Sequence, residues 1–257
     1  MAPPLLELAG VTVRLSGVKV LDGISLSILP GQVLGVIGPN GAGKTTLFNV
    51  VCGFVRAESG SVIWKGRNLL RHQTHSLAEL GIARTLQGLG LFPGLTVVEN
   101  VMAGATAHAR AGLLSALLAL RRADRDEAAL RARAGERLAA LGIGDTADRM
   151  PGELPYGIRK RVALARALVA EPELLLLDEP AAGLSSAEIQ ELAELLPSLE
   201  ASVVLVEHRM DLVMRVCDNV AVLNFGKLIA HGPPDVVRND AEVVQAYLGK
   251  GVGGSSA

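Results

Sequence analysis

Nine residues, GPNGAGKTT at 38–46, bring together three glycines, one lysine and two threonines directly after the apolar run VLGVI. Glycines leave room for backbone N–H groups to converge on one point, and a helix beginning there adds the positive end of its dipole. Such a point suits a phosphate. The spacing Gly38-x4-Gly43-Lys44-Thr45 is that of a P-loop, in which the lysine reaches the β- and γ-phosphates and the first hydroxyl ligates Mg²⁺. The predicted cradle runs through Gly38, Pro39, Asn40, Gly41, Ala42, Gly43, Lys44, Thr45 and Thr46. A nucleotide is therefore expected, and what its energy drives must be read elsewhere.

The second chemical stretch is LLLLDEP at 174–180. A buried parallel strand would carry Asp178 to the C-terminal edge of its sheet, where a P-loop and its Mg²⁺ lie. Glu179, the next residue, can then face water and act as general base, which favours hydrolysis over transfer to an alcohol. The plain alternative is a strand ending in a solvated acidic turn. VVLVEH offers another such edge, with His208 placed to contact the γ-phosphate; a lone histidine is otherwise more often structural.

These groups need a scaffold, and its elements can be read from periodicity. Val33 to Ile37 reads as a buried strand and TTLFNVVCGF as the helix after it. LELAGVTVRL and GISLSIL alternate like half-exposed strands of an antiparallel layer, joined through a turn-like SGVKVLDG. GSVIW and IARTLQ read as strands, with a short helical SLAEL before the latter. Between about 95 and 170 Ala, Leu and Arg dominate, and DEAALRARAGERLAALG has helical spacing with a glycine stop. This predicts an inserted helical subdomain. Strand and helix alternate again through SVVLVEH to NVAVLNFGKLIAHG, a strand pair around Phe225-Gly226. The predicted class is α/β, a P-loop NTPase with a RecA-like mixed sheet, an N-terminal antiparallel β layer and the helical insertion. Residues 1–249 form the expected domain, and 250–257 a disordered Gly/Ser-rich tail.

Composition narrows the setting. With 257 residues and a formal net charge of −1, the chain has ample apolar content and no global field that favours nucleic acid. Cys52 and Cys217 stand far apart in apolar contexts and read as core residues in a reducing compartment. MAPPLLELAG lacks the features of a signal peptide. AGLLSALLAL, between Arg110 and Arg121, is ten residues, against the ~20 of a span; it is expected to pack within the helical subdomain or against a partner, the other reading being a membrane-surface helix. The run Arg159, Lys160, Arg161 reads as a solvated helix face, since aromatics make up 3% of residues and base-stacking platforms need them.

The order P-loop, Gln87 in RTLQGLGLF, LPYGIRKRVALARAL, LLLLDEP and His208 resembles the nucleotide-binding subunit of an ABC transporter over nearly the whole chain. The resemblance implies that Gln87, with Thr45 and Asp178, ligates Mg²⁺ and links the attacking water to the face meeting the membrane partner. It implies that Leu154, Pro155, Tyr156 and Gly157, continuing to Ile158, form the signature segment that caps the γ-phosphate of ATP held by an opposite protomer. IRKRVALARAL reads as a helix whose N-terminus would aim N–H groups and a dipole outward. Two chains would then sandwich two ATP molecules, with Lys44 and the loop on phosphates, Glu179 as base and His208 holding the γ-phosphate.

This chain departs from the family pattern LSGGQ at Pro155, where a serine hydroxyl would meet phosphate, and at Ile158. Ser185 replaces the aspartate of many D-loops, and Leu15 stands where an aromatic ring often stacks on adenine, which predicts modest nucleotide affinity. DEPAAGLSSAE, VEHRMDLVM, GLFPGLTVVENV and a closing Tyr-Leu-Gly are similar to branched-chain amino acid importer subunits. Urea or short-chain amide importers and the lipopolysaccharide exporter ATPase share this vocabulary. A branched-chain importer implies a homodimer or a heterodimer with a sibling ATP-binding subunit. It also implies two integral membrane permease subunits, an associated substrate-binding protein, no nucleic acid, and a peripheral place on the cytoplasmic face of the inner membrane. A soluble ABC ATPase acting on DNA or ribosomes is a rival, disfavoured by a single cassette without sustained heptads. A small-molecule kinase is disfavoured by Glu179.

Overall fold

The computed structural model describes residues 3–69, 77–85, 88–108 and 121–248. Its centre is made of runs dominated by aliphatic residues: β3 (Val33–Ile37), β7 (Leu174–Asp178) and β8 (Ser202–Val206) are buried at every position. That is the signature of parallel strands covered on both faces. With β6 (Ile82–Arg84), β9 (Asn219–Asn224) and β10 (Lys227–Gly232) they form a sheet in the order β10-β9-β3-β8-β7-β6. All its pairings are parallel except that of β9 with β10.

Side-chain alternation splits the core in two. Leu34, Val36, Leu174, Leu176, Val204 and Val206 share one core with α1 (Lys44–Val51) and with a second, antiparallel sheet in the order β2-β1-β4-β5. Those strands are β1 (Leu6–Leu15), β2 (Val18–Ile28), β4 (Ser59–Trp64) and β5 (Arg67–Asn68). Ile37, Leu175, Leu177, Val203 and Leu205 face the other core, built from helices. These are α2 (Val97–Met102), a 3₁₀ turn (Ala103–His108), α3 (Arg121–Ala140) and α4 (Tyr156–Leu168), all between β6 and β7, followed by α5 (Ser186–Leu195), α6 (Met210–Val216), α7 (Pro234–Arg238) and α8 (Ala241–Leu248). Cys52 and Cys217 are free and buried, and burial pushes the Cys217 thiol up to about 12.

Three local expectations are corrected. SGVKVLDG is not a long turn: only Ser16 and Gly17, at φ 49° and 83°, turn the chain, and β2 begins at Val18. Positive φ at both central residues matches the twist of a two-residue hairpin, and β2 is an edge strand whose polar outer positions hid its period. Leu77 to Leu80 form a turn rather than a helix, closed by Leu80 N–H to the Leu77 carbonyl at 3.1 Å. The strand expected over IARTLQ stops at Arg84.

Helix contacts are close where glycine permits. A Cβ at Gly104 would overlap the carbonyl oxygen of Arg166 on α4. Overpacking of this kind costs about 1–3 kcal/mol. Gly104→Ala is therefore expected to lower stability by that amount in urea unfolding without changing the phosphate loop.

Candidate functional site

The phosphate loop joins β3 to α1. Gly43, the N-cap of α1, sits at φ 104° with no side-chain cap, so the N–H groups of the first turn remain for a ligand. A side chain there would press within 2.8 Å of Leu21 Cδ2 and the Val20 carbonyl. Lys44 is 7% exposed and donates from Nζ to the carbonyls of Gly38 at 2.7 Å and Pro39 at 3.0 Å, so the cation lies across the cradle. Pro39 is half-buried, Asn40, Gly41 and Thr45 are exposed, and Thr46 is half-buried. The loop is braced from outside, since Gly226 N–H of the β9–β10 hairpin donates to the Ala42 carbonyl at 3.0 Å.

Strands β3, β8 and β7 lie side by side and parallel, so their C-terminal ends present the loop, His208 and the 178–179 pair along one edge. Asp178 closes β7 and is 5% exposed. Glu179 follows at φ 50°, in the left-handed region where a non-glycine residue is strained and therefore held by its surroundings. Its amide donates to the Val206 carbonyl at 2.9 Å. Glu179 Oε1 is 3.2 Å from His208 Nε2, and both side chains are partly open to solvent. Two residues singled out on separate strands thus meet.

The signature segment begins with buried Leu154 and exposed Pro155, the N-cap of α4. No side-chain hydrogen bond caps that helix and no acid of its own occupies the first turn, while the Glu188 carboxylate of α5 packs against Gly157. Tyr156 is exposed, with the charges of Arg159 and Lys160 5.7 and 5.6 Å from its ring centre, while Gly157 is buried and Ile158 half-buried. Ser185 has a structural task. Its hydroxyl accepts from Glu188 N–H and Glu188 returns a carboxylate to the Ser185 amide, a capping box on α5. Gln87 and all of AGLLSALLAL lie outside the described residues, as does the tail predicted at 250–257.

Three charged residues at the site were not assigned to it from sequence, Lys160 having been read only as part of a solvated face. Arg84, at the end of β6, donates to Asp178 Oδ2 at 3.0 Å and to Asn49 Oδ1 at 2.7 Å, its guanidinium 5.6 Å from the Phe48 ring centre. Glu207, 2% exposed, accepts the Ala181 amide at 2.7 Å and the His208 amide at 2.9 Å. Lys160 donates to the carbonyls of Glu179 and Pro180. The solvated face expected for Arg159, Lys160 and Arg161 is therefore corrected: all three are only partly exposed. Burial pushes the Lys160 ammonium down, against the opposite pull of the Glu207 and Glu179 carboxylates. A glutamate ending an apolar strand was the visible signal for Glu207. Arg84 carried no such signal: only the pairing of β6 with β7, which sets Arg84 beside Leu176, puts it on the same face as Asp178.

A phosphate loop opening beside an acid pair, at the edge of a mostly parallel sheet, is the arrangement of a nucleotide-hydrolysing cassette. The family model for ABC transporters matches residues 21–182, and the chain belongs to that family and is an ATPase. A further model, for the branched-chain amino acid ATP-binding cassette transporter, matches residues 227–253. The chain is 37% identical to LivG of Escherichia coli, a high-affinity branched-chain amino acid transport ATP-binding protein, over 97% of this chain and 100% of LivG. Its counterpart BraF of Pseudomonas aeruginosa is 36% identical at the same coverage. LptB of Haemophilus influenzae, a lipopolysaccharide export system ATP-binding protein, is 33% identical over 90% of this chain and 92% of LptB. Among solved structures, the ATP-binding cassette MJ1267 superposes with a TM-score of 0.83 at 30% identity, covering 96% of this chain and 99% of its own.

Proposed function

We propose that the chain is the ATP-hydrolysing half of a paired motor driving an importer for branched-chain or other hydrophobic amino acids. The observation that carries the chemistry is the Glu179–His208 contact beside the phosphate loop, on adjacent parallel strands. The amino-acid cargo is supported by the whole-chain likeness to LivG and BraF and by the C-terminal match at 227–253.

Lys44 and the loop amides from Gly38 to Thr46 hold the phosphates. Glu179 takes a proton from the attacking water, and His208 steadies both Glu179 and the γ-phosphate. The oxygen donors Thr45 and Asp178 suit Mg²⁺, a hard ion that keeps several waters, and Gln87 completes the set. When bound, Mg²⁺ neutralises charge on the phosphate oxygens. A second ATP-binding chain presents Leu154, Pro155, Tyr156 and Gly157 over the γ-phosphate, so each chain supplies parts of both pockets. Pro155 offers no hydroxyl, which leaves the Gly157 N–H and the helix end to carry more of that contact. Opening and closing of the pair move two membrane permease subunits, fed by a substrate-binding protein, from the cytoplasmic face of the membrane. No helix among the described residues is long and apolar enough to cross a membrane.

Isolated from native membranes in mild detergent, the chain is expected to bring two very hydrophobic proteins with it. In vesicles, ATP turnover by that complex should rise with leucine, isoleucine or valine and their binding protein. Recovery with ribosomes or nucleic acid, and without membrane proteins, overturns the reading. Leu15, 43% exposed at the end of β1, stands where the resemblance would place an aromatic ring on adenine. An aromatic contact contributes about 0.5–1.5 kcal/mol, so Leu15→Tyr should tighten ATP binding about twofold to tenfold in a titration.

A further inference from the structure

The backbone just after β7 is gripped by two charged residues. Lys160, in the second turn of α4, donates from Nζ to the carbonyl of Glu179 at 2.8 Å and that of Pro180 at 2.9 Å. Glu207 in turn accepts the Ala181 amide on Oε1 at 2.7 Å, while its Oε2 accepts the amides of His208 at 2.9 Å and Arg209 at 3.3 Å. Glu207 is 2% exposed, and a carboxylate that deep is costly unless hydrogen bonds saturate it. The segment so held contains Glu179, a non-glycine residue in the left-handed region at φ 50°. Strain persists only where neighbours impose it. Here the neighbours are a cation pulling two carbonyls and an anion pulling the next amide.

We propose that Lys160 and Glu207 are positioning residues for hydrolysis: together they clamp the Glu179–Ala181 backbone and keep the Glu179 carboxylate against His208. The inference rests on the reading of Glu179 as the base. Neither residue is assigned a contact with nucleotide. The clamp sets where the proton acceptor stands, so its loss moves kcat and spares binding. Glu207 serves both halves of the contact, because the same carboxylate fixes the loop after Glu179 and the amide of His208.

The test uses the assembled complex carrying Lys160→Met, Lys160→Arg or Glu207→Gln, each in the native background and in Glu179→Gln, with single-turnover hydrolysis and ATP binding measured separately. Lys160→Met and Glu207→Gln should each lower kcat by about 10- to 100-fold, with KM and ATP affinity within about twofold of native. Lys160→Arg, which keeps a donor to the two carbonyls, should recover part of the rate. In the Glu179→Gln background the same changes should have no further effect, since the group they position is already disabled. Near-native kcat in both neutralised variants, or an equal fold-loss in both backgrounds, overturns the clamp. A change in ATP affinity as large as the change in kcat overturns it too. Should Lys160→Met fail to fold, Glu207→Gln carries the same decision. Near-native turnover by Glu179→Gln alone instead overturns the base assignment.

Discussion

Glu179→Gln should lower ATP hydrolysis by a factor of about 10²–10⁴ while ATP still binds, the usual range for losing a positioned general base. Glutamine matches glutamate in shape and keeps an oxygen for His208 Nε2, which stands 3.2 Å from the native carboxylate. It cannot take the proton of the attacking water. The loss corresponds to about 3–5 kcal/mol of transition-state stabilisation. Because the phosphate loop is untouched, Mg·ATP should accumulate in closed pairs of the variant, visible as a doubling of mass in light scattering when nucleotide is added. Hydrolysis at a near-native rate would remove Glu179 from the mechanism. Failure to pair, even with the companion subunits present, would remove the shared pockets.

The second large effect concerns Arg84. The Arg84 and Asp178 side chains are 11% and 2% exposed, and their 3.0 Å contact is a buried ion pair. Removing one partner of such a pair leaves an uncompensated charge, at a cost of about 3–5 kcal/mol, whereas neutralising both is often tolerated. Arg84→Met should therefore lower the melting temperature of the nucleotide-free protein by roughly 6–20 °C, taking about 2–4 °C per kcal/mol for a chain of this size. Arg84→Met combined with Asp178→Asn should recover most of that loss. Mg·ATP should also restore stability to the single variant, by giving Asp178 another counter-charge and by binding the folded state alone. A melting temperature unchanged by Arg84→Met would mean that the pair contributes nothing to the fold.

Much of this was legible in the chain itself, for reasons that also explain what was not. The runs at 33–37, 174–177 and 203–206 are short, apolar and largely β-branched or leucine, as strands covered on both faces are, and the glycine-lysine spacing at 38–46 has one good physical use. The hairpin at 16–18 was hidden because β2 lies at the edge of its sheet, with Lys19 and Asp22 on the solvent side paired at 2.9 Å. Arg84 was hidden for a topological reason. A cation at a strand end reads as solvated until one knows that β6 pairs in parallel with β7, a strand 90 residues further on, in a register that sets Ile82 beside Leu174. Lys160 belongs to a run of three cations that looks like an exposed face, and only the path of the chain after Asp178 brings carbonyls to its amine. Ser185 seemed a lost aspartate and proves to be the cap of α5.

Helix α4 joins two tasks that belong to different pockets. On the proposed function its tip, from Pro155 to Gly157, would be offered to the nucleotide of a neighbouring chain, while Lys160, one turn along the same rod, holds the Glu179 backbone. A helix transmits displacement with little give, so pressure at the tip would reach the Glu179 backbone through the Lys160 hydrogen bonds. If the chain works as a pair in the proposed way, this shaft would gear the two engines, so that each could sense through it whether the other is loaded.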